Sequence, residues 1–280
     1  VSAVLLRRRA LGDVVLLGAV TASLPGCTVV TDARLVPVAR RLRGVAHAVP
    51  WGAPLPAGRV IDLQASLATR LAHPLAARLR KGSLRRRLPL LGLPGGRGAL
   101  TDRYAAAAGV VATPPPWIDG PSGDALALIP GASTPLKRWS PRALAAVGRA
   151  WDGPVVVVGG PGEGALVEEV RAGIPGATSV VEEGFDATIE ALGRCRVAVG
   201  GDTGLLHLAT ACGARPVVLL GPTSSADGFW DHAAGREVSL GLPCRPCTLH
   251  RRVACPEGHH GCMGQSVSDV IAAVRACASR

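Results

Sequence analysis

Aromatic side chains are scarce: the chain of 280 residues carries one Tyr, two Phe and five Trp, with a single Met. Any core must therefore be Leu, Val and Ala packing, and the stacking platforms that single-strand nucleic-acid binders need are missing. No run of 18 or more uncharged apolar residues occurs, so no segment reads as a membrane-spanning helix. Acidic residues are sparse in one half only. Residues 1–118 hold 4 Asp and Glu against 17 Lys and Arg, whereas residues 119–280 hold 16 against 14. A basic first half attracts nucleic acid, an anionic membrane surface or a phosphorylated substrate, and the shortage of aromatics argues against the first. What is present is ample for folding: 48% hydrophobic residues can fill two cores without disulfides, and 36 Gly with 23 Pro imply many short turns.

The N-terminus imitates a lipoprotein leader, with Arg7, Arg8 and Arg9 ahead of an apolar stretch that ends in Leu24-Pro25-Gly26-Cys27. Asp13 inside that stretch and the apolar strand Val1–Leu6 ahead of the arginines speak against it. From there, short β-rich runs alternate with helical patterns, the signature of βα units and parallel sheets. The first half reads as strands at 1–6, 27–31, 45–49 and 60–63, with helices over 13–24, 33–42 and 101–108 and a basic helical stretch over 67–87. The segment 112–124, with Pro114-Pro115-Pro116, is a stiff connector and the expected boundary. The second half repeats the alternation, with strands at 125–129, 155–158, 179–181, 196–199 and 216–220 and helices from Pro141, Glu163, Asp186, Thr203 and Ser268. The expected organisation is two doubly wound lobes, residues 1–118 and 119–280, with ligands bound between the carboxyl ends of their strands.

The segment 197–223, VAVGGDTGLLHLATACGARPVVLLGPT, is the most informative. A buried strand runs into Gly200-Gly201-Asp202-Thr203-Gly204 and directly into a helix, so free amides at the helix start and the helix dipole favour an anion. Asp202 and Thr203 also suit N-cap duty, and His207 lies one turn after Thr203 on the same face. Further on, Cys244, Cys247, Cys255 and Cys262 stand within twenty residues, with His250, His259 and His260 among them. A closed structural zinc site is one reading, and reduced thiols or a disulfide are the others. Cys27, Cys195, Cys212 and Cys277 are isolated and read as core.

The 197–223 segment resembles the D-T-G-x-x-H-x-A and G-P-T signature of glycosyltransferase family 9, the ADP-heptose:lipopolysaccharide heptosyltransferases. Other stretches match in the family's order: ALGDVVL at 10–16, VIDLQASL at 60–67, IPGASTPLKRWS at 129–140 and VVVVGGPGE at 155–163. The cysteine-bearing stretch 244–263 is similar to that of type II-like members. The resemblance implies a GT-B fold, two Rossmann-like lobes facing a central cleft, with acceptor on residues 1–118 and nucleotide-sugar donor on residues 119–280. It implies Asp13 as the general base that takes the acceptor's proton, although Asp13 equally suits an N-cap. Ser133 and Lys137 are implied at the donor phosphates, Lys137 as counter-charge for the departing diphosphate. Glu163 is implied at the ribose, or as a helix N-terminal charge, and Asp202, Thr203, Gly204 and His207 around the diphosphate and heptose.

The expected activity is an inverting transfer of heptose from ADP-heptose to the phosphorylated lipid A–Kdo–heptose inner core. No cofactor is needed for the chemistry, and zinc, if bound, is structural. Arg85, Arg86 and Arg87, with Arg78, Arg80 and Lys81, are expected to contact acceptor phosphates or the inner membrane, at whose cytoplasmic face the protein would work peripherally. Two alternatives stand beside it: a GT-B transferase using another nucleotide sugar or acceptor, and, from a different class, a non-catalytic sugar-nucleotide or zinc-binding protein of envelope assembly.

Overall fold

A computed structural model describes residues 2–80, 87–91, 98–230, 235–249 and 252–279. The first sheet contains β1 (Ala3–Leu6), β2 (Cys27–Thr31), β3 (Val45–Pro50), β4 (Arg59–Asp62) and β5 (Ala77–Arg78), in the order β3-β2-β1-β4-β5. The second contains β6 (Ala125–Ile129), β7 (Val155–Gly159), β8 (Thr178–Val181), β9 (Cys195–Gly201), β10 (Arg215–Leu220) and β11 (Arg236–Ser239), in the order β11-β10-β9-β6-β7-β8. Every pairing is parallel. Both orders reverse direction once, between β1 and β4 and between β6 and β9, and the crevice at such a reversal is where open α/β sheets bind ligands.

Central strands are apolar without alternation because both faces are covered. β6 (ALALI) is buried at all five positions, and β7 (VVVVG) likewise. Each fully buried Leu or Val contributes roughly 1.5–3 kcal/mol relative to exposure, so these short strands are held by packing rather than by length. Helices around the first sheet are α1 (Leu11–Val15), α2 (Gly18–Thr21), α3 (Val36–Arg41), α4 (Leu67–Ala72) and α5 (Leu100–Ala108). Those around the second are α6 (Pro141–Arg149), α7 (Gly164–Ala172), α8 (Gly184–Gly193), α9 (Gly204–Ala211) and α10 (Val267–Ala278). Several starts are capped as their residues predict: Ser140 Oγ accepts from Ala143 N, Thr203 Oγ1 from Leu206 N and Ser266 Oγ from Asp269 N.

Four sequence expectations are corrected. The helix expected over 13–24 is two short helices, because Leu17 N bonds three residues back to Val14 O and the α ladder is interrupted there. The basic helix expected over 67–87 stops at Ala72, where His73 precedes Pro74 and leaves the helical region. The strand at 45–49, whose apolar run suits a buried strand, is an edge strand with exposed positions. Gly200 and Gly201, read from the sequence as the turn that follows the strand, lie inside β9, where a methyl on Gly200 would come within 3.0 Å of Ile129 Cβ and one on Gly201 would strike the Lys137 carbonyl. Their role is close packing in a rigid strand.

The lobes touch directly. The connector lies against the end of α9, where Trp117 and Ile118 donate backbone hydrogen bonds to Ala211 O at 2.8 and 3.0 Å. At the other end α1 packs on α9, and the contact is backbone-close because both meeting residues are glycine. A methyl on Gly12 would reach 2.7 Å from His207 Cδ2, and one on Gly204 would reach 2.9 Å from Leu11 Cβ.

Candidate active site

A cavity of about 420 Å³ opens between the carboxyl ends of the two sheets. The first lobe supplies Ala10, Leu11, Gly12, Asp13 and Arg34 to its wall. The second supplies Ser133 and Lys137 after β6, Glu163 after β7, Asp202, Thr203, Gly204 and His207 after β9, and Thr223 and Trp230 after β10. Loops from the β6 and β9 ends flank the reversal in strand order, which is why residues separated by 65 positions meet there.

Asp13 lies in the first turn of α1. Its Oδ2 accepts from Ala10 N at 2.9 Å, and its Oδ1 forms an ion pair with Arg7 Nη2 at 2.7 Å. Arg7 follows β1 and is itself fixed, donating to Leu63 O at 2.8 Å and lying 5.8 Å from the Tyr104 ring centre. The helix-start role and the cavity position therefore coexist in one carboxylate. Each oxygen retains a lone pair, since a carboxylate offers about four acceptor directions.

Across the cavity, Lys137 Nζ pairs with Asp202 Oδ2 at 2.6 Å, and the lysine is only 6% exposed. Thr223 Oγ1 also donates to Asp202 Oδ2 at 3.2 Å, and Trp230 Nε1 donates to Oδ1 at 3.1 Å. Burial works against the Asp202 charge, yet the Lys137 ammonium first, then His207 and the Trp230 hydrogen bond, hold its carboxyl below the usual range. With three protein donors engaged, the Asp202 carboxylate aims Lys137. An ammonium has three hydrogens, so two remain for an anion in the cavity.

His207 is 3% exposed, and its ring stacks on Trp230 with centroids 4.0 Å apart and planes 10° from parallel. Burial pushes it down to about 4; Asp202 and Asp13 pull the other way and Lys137 adds to the fall. The imidazole is thus neutral near pH 7. Glu163 Oε2 accepts from Gly160 N at 2.8 Å in the loop entering α7, and Ser133 is exposed at the rim. Thr203 caps α9, whose free amides face the cavity beside Gly204.

Every donor-side residue expected from the sequence, and Asp13 from the other lobe, lines this one cavity. The described members of the arginine cluster, Arg78, Arg80 and Arg87, do not. Lys81, Arg85 and Arg86 lie outside the described residues; Arg78 is near Asp62 at 3.7 Å and Arg80 and Arg87 are exposed away from the cavity wall. Among the described residues, the arginine on that wall is Arg34. Sequence reading missed Arg7, Arg34, Thr223 and Trp230. In a chain so poor in aromatics, Phe229-Trp230 just beyond the G-P-T turn was the available signal. Cys27, the residue of the lipoprotein-like string, opens β2 and is 1% exposed. Cys244 Sγ stands 3.8 Å from His259 Nε2, and among the described residues no three of His, Cys, Asp and Glu are gathered as a set able to hold a metal ion.

Two parallel-sheet lobes, with a carboxylate on one facing a lysine and a glycine-bounded helix start on the other, define a GT-B type glycosyltransferase. The family model for glycosyltransferase family 9 (heptosyltransferase) matches residues 106–259, and the chain belongs to that family. Solved structures agree in fold. A family 9 glycosyl transferase from Veillonella parvula DSM 2008 superposes with a TM-score of 0.74 at 18% identity, over 99% of this chain and 97% of that one. E. coli ADP-heptose lps heptosyltransferase II gives 0.66 at 18% identity over 100% and 99%, and E. coli heptosyltransferase WaaC with ADP gives 0.59 at 18% over 80% and 88%. No curated protein sequence matches the chain.

Proposed function

We propose that this chain is an inverting, metal-independent heptosyltransferase that moves heptose from ADP-heptose to the inner core of lipopolysaccharide, in the manner of heptosyltransferase II. One observation carries the reading: the Asp13 carboxylate of the first lobe and the Lys137 ammonium of the second line the same cavity. Family membership supports it, as does the similarity to two E. coli heptosyltransferases, one of them holding ADP.

In this reading the diphosphate of the donor lies at the start of α9, against the free amides around Gly204 and the two remaining Lys137 hydrogens, with Ser133 at its edge. Glu163 faces the ribose. The acceptor hydroxyl approaches from the first lobe and gives its proton to Asp13 as its oxygen bonds to the anomeric carbon. The bond from that carbon to the diphosphate oxygen breaks on the opposite face, which inverts configuration, and ADP leaves with charge met by Lys137 and the helix start. Asp202 positions Lys137, and neutral His207, braced by Trp230, offers a hydrogen-bonding ring without adding positive charge. The basic first lobe faces a phosphorylated acceptor, and the protein works at the cytoplasmic face of the inner membrane; among the described residues no helix is long and apolar enough to cross one.

The test is turnover of ADP-heptose, UDP-sugars and GDP-sugars with inner-core acceptor, in the presence of a chelator, with the product's anomeric configuration read by NMR. Inverted product from ADP-heptose alone is expected. Retention of configuration, or preference for a UDP- or GDP-sugar, would end the proposal.

A further inference from the structure

Helix α4 is built inside out. Its sequence is LATRLA, and an amphipathic helix of this kind ordinarily turns its leucines to the core. Here Thr69 is fully buried, locked with Ser66 in a reciprocal cap, while Leu67 and Leu71 are each 74% exposed. They are four residues apart and share one face. Leu75, just past the helix end, is 99% exposed, the most exposed large apolar side chain among the described residues. Such a grouping on an outer surface marks an interaction site.

Along the chain the segment carries charge of one sign. From Leu63 to Arg80 the chain contains Arg70, Arg78 and Arg80 and no acidic residue. Arg70 and Arg80 are exposed, and so is Arg87. Exposed leucines with exposed arginines interspersed along the same segment match a surface that is apolar beneath and anionic above, which is the interface of an anionic bilayer. The location also suits. α4 begins right after the carboxyl end of β4, where Gln64 Oε1 accepts from Arg8 N at 3.2 Å and Leu63 O accepts from Arg7, the partner of Asp13. The patch is therefore tied through a few residues to the acceptor side of the cavity.

We infer that Leu67, Leu71 and Leu75, with Arg70 and Arg80, form a docking face for an anionic lipid bilayer, holding the acceptor lobe against the membrane in which a lipid-anchored acceptor lies. The inference rests on the proposed function for the identity of the acceptor, but the docking itself is testable without donor or acceptor. The full chain is sedimented with vesicles of phosphatidylglycerol and phosphatidylcholine in equal parts, and with vesicles of phosphatidylcholine alone. Binding is expected to the first and to be weaker to the second. The variant Leu67→Ser/Leu71→Ser/Leu75→Ser should bind the anionic vesicles about tenfold or more weakly, and Arg70→Gln and Arg80→Gln about fivefold each. Because all five side chains are solvent-exposed, the melting temperatures should match the parent, and turnover on a deacylated, soluble acceptor should be unchanged. Binding by the leucine variant equal to the parent overturns the docking face, as does a leucine-dependent dimer in sedimentation velocity without lipid. Absence of any transfer by a parent that still docks through these leucines would instead sink the proposed function and leave the docking face standing.

Discussion

Both sheets run their strands outward from a central pair in the same order and are reversed once, yet the two lobes treat charge in opposite ways. The first holds a large excess of arginine, and three consecutive arginines converge on two carboxylates: Arg7 on Asp13, and Arg8 and Arg9 on Asp32. The second is close to neutral, with one buried lysine trimmed by one aspartate. Scaffold and chemistry are therefore separable, because the loops at the strand ends decide what a doubly wound lobe does. The first lobe holds a carboxylate in place with a cation behind it. The second holds a cation in place with an anion behind it.

The sharpest way to break this comparison is to neutralise the base. If Asp13 is the proton acceptor, Asp13→Asn keeps the shape and kcat should fall about 10²- to 10⁴-fold, while ADP affinity, measured by calorimetry, stays within twofold of the parent, about 0.4 kcal/mol at most, because Asp13 stands on the opposite lobe from Lys137. Turnover within a few-fold of the parent would show that Asp13 is only a helix-start residue. Next comes the cation. Lys137→Met should lower turnover on the order of 10²- to 10³-fold, weaken ADP binding and depress the melting temperature, because Asp202 is left buried without its ammonium. Adding Asp202→Leu should restore the melting temperature and not the turnover. If it restores both, Lys137 has no part in the reaction.

A smaller effect separates the lobes by pH. His207 is held near 4 by burial, whereas an unfolded histidine titrates near 6.5. As pH falls through this interval the unfolded chain binds the proton first. Stability is thus full above about 6.5 and declines toward about 4, by on the order of a few kcal/mol. Melting curves of His207→Gln should show a flatter fall over that window; an unchanged slope would mean the ring is not the group being titrated. The smallest effect concerns the joint. Gly204→Ala places a methyl 2.9 Å from Leu11 Cβ and 3.1 Å from Gly12 N, so the lobes must part slightly at a cost of about 1–3 kcal/mol. Small-angle scattering should report a more open molecule. An unaltered envelope and melting temperature would mean that α1 and α9 are not held together tightly.

The parts legible in sequence share a physical reason. Strands β2 and β6 and the start of α9 at Thr203 were readable to the residue, since continuous apolar runs and a capping threonine are local signals. The helical pattern over 67–87 runs past the real end of α4 because arginine and leucine suit a helix wherever they stand, whereas Pro74 stops it. The pairing of Asp202 with Lys137 was not readable as such: each residue appeared as a separate ligand for the diphosphate, because sequence shows which polar groups exist and not which of them neutralise one another.

The order of residues along the chain determined the family signature, the two βα halves and their contrast in charge, all of which depend on neighbours in sequence. Tertiary structure alone decided that Asp13 rests on Arg7, that Trp230 stacks on His207 and tethers Asp202, and that Gly12 and Gly204 let two helices from different lobes meet. Apart from the Arg7–Asp13 pair, these are contacts between segments far apart along the chain, and the side-by-side packing of the strand ends of both sheets brings them to one cavity.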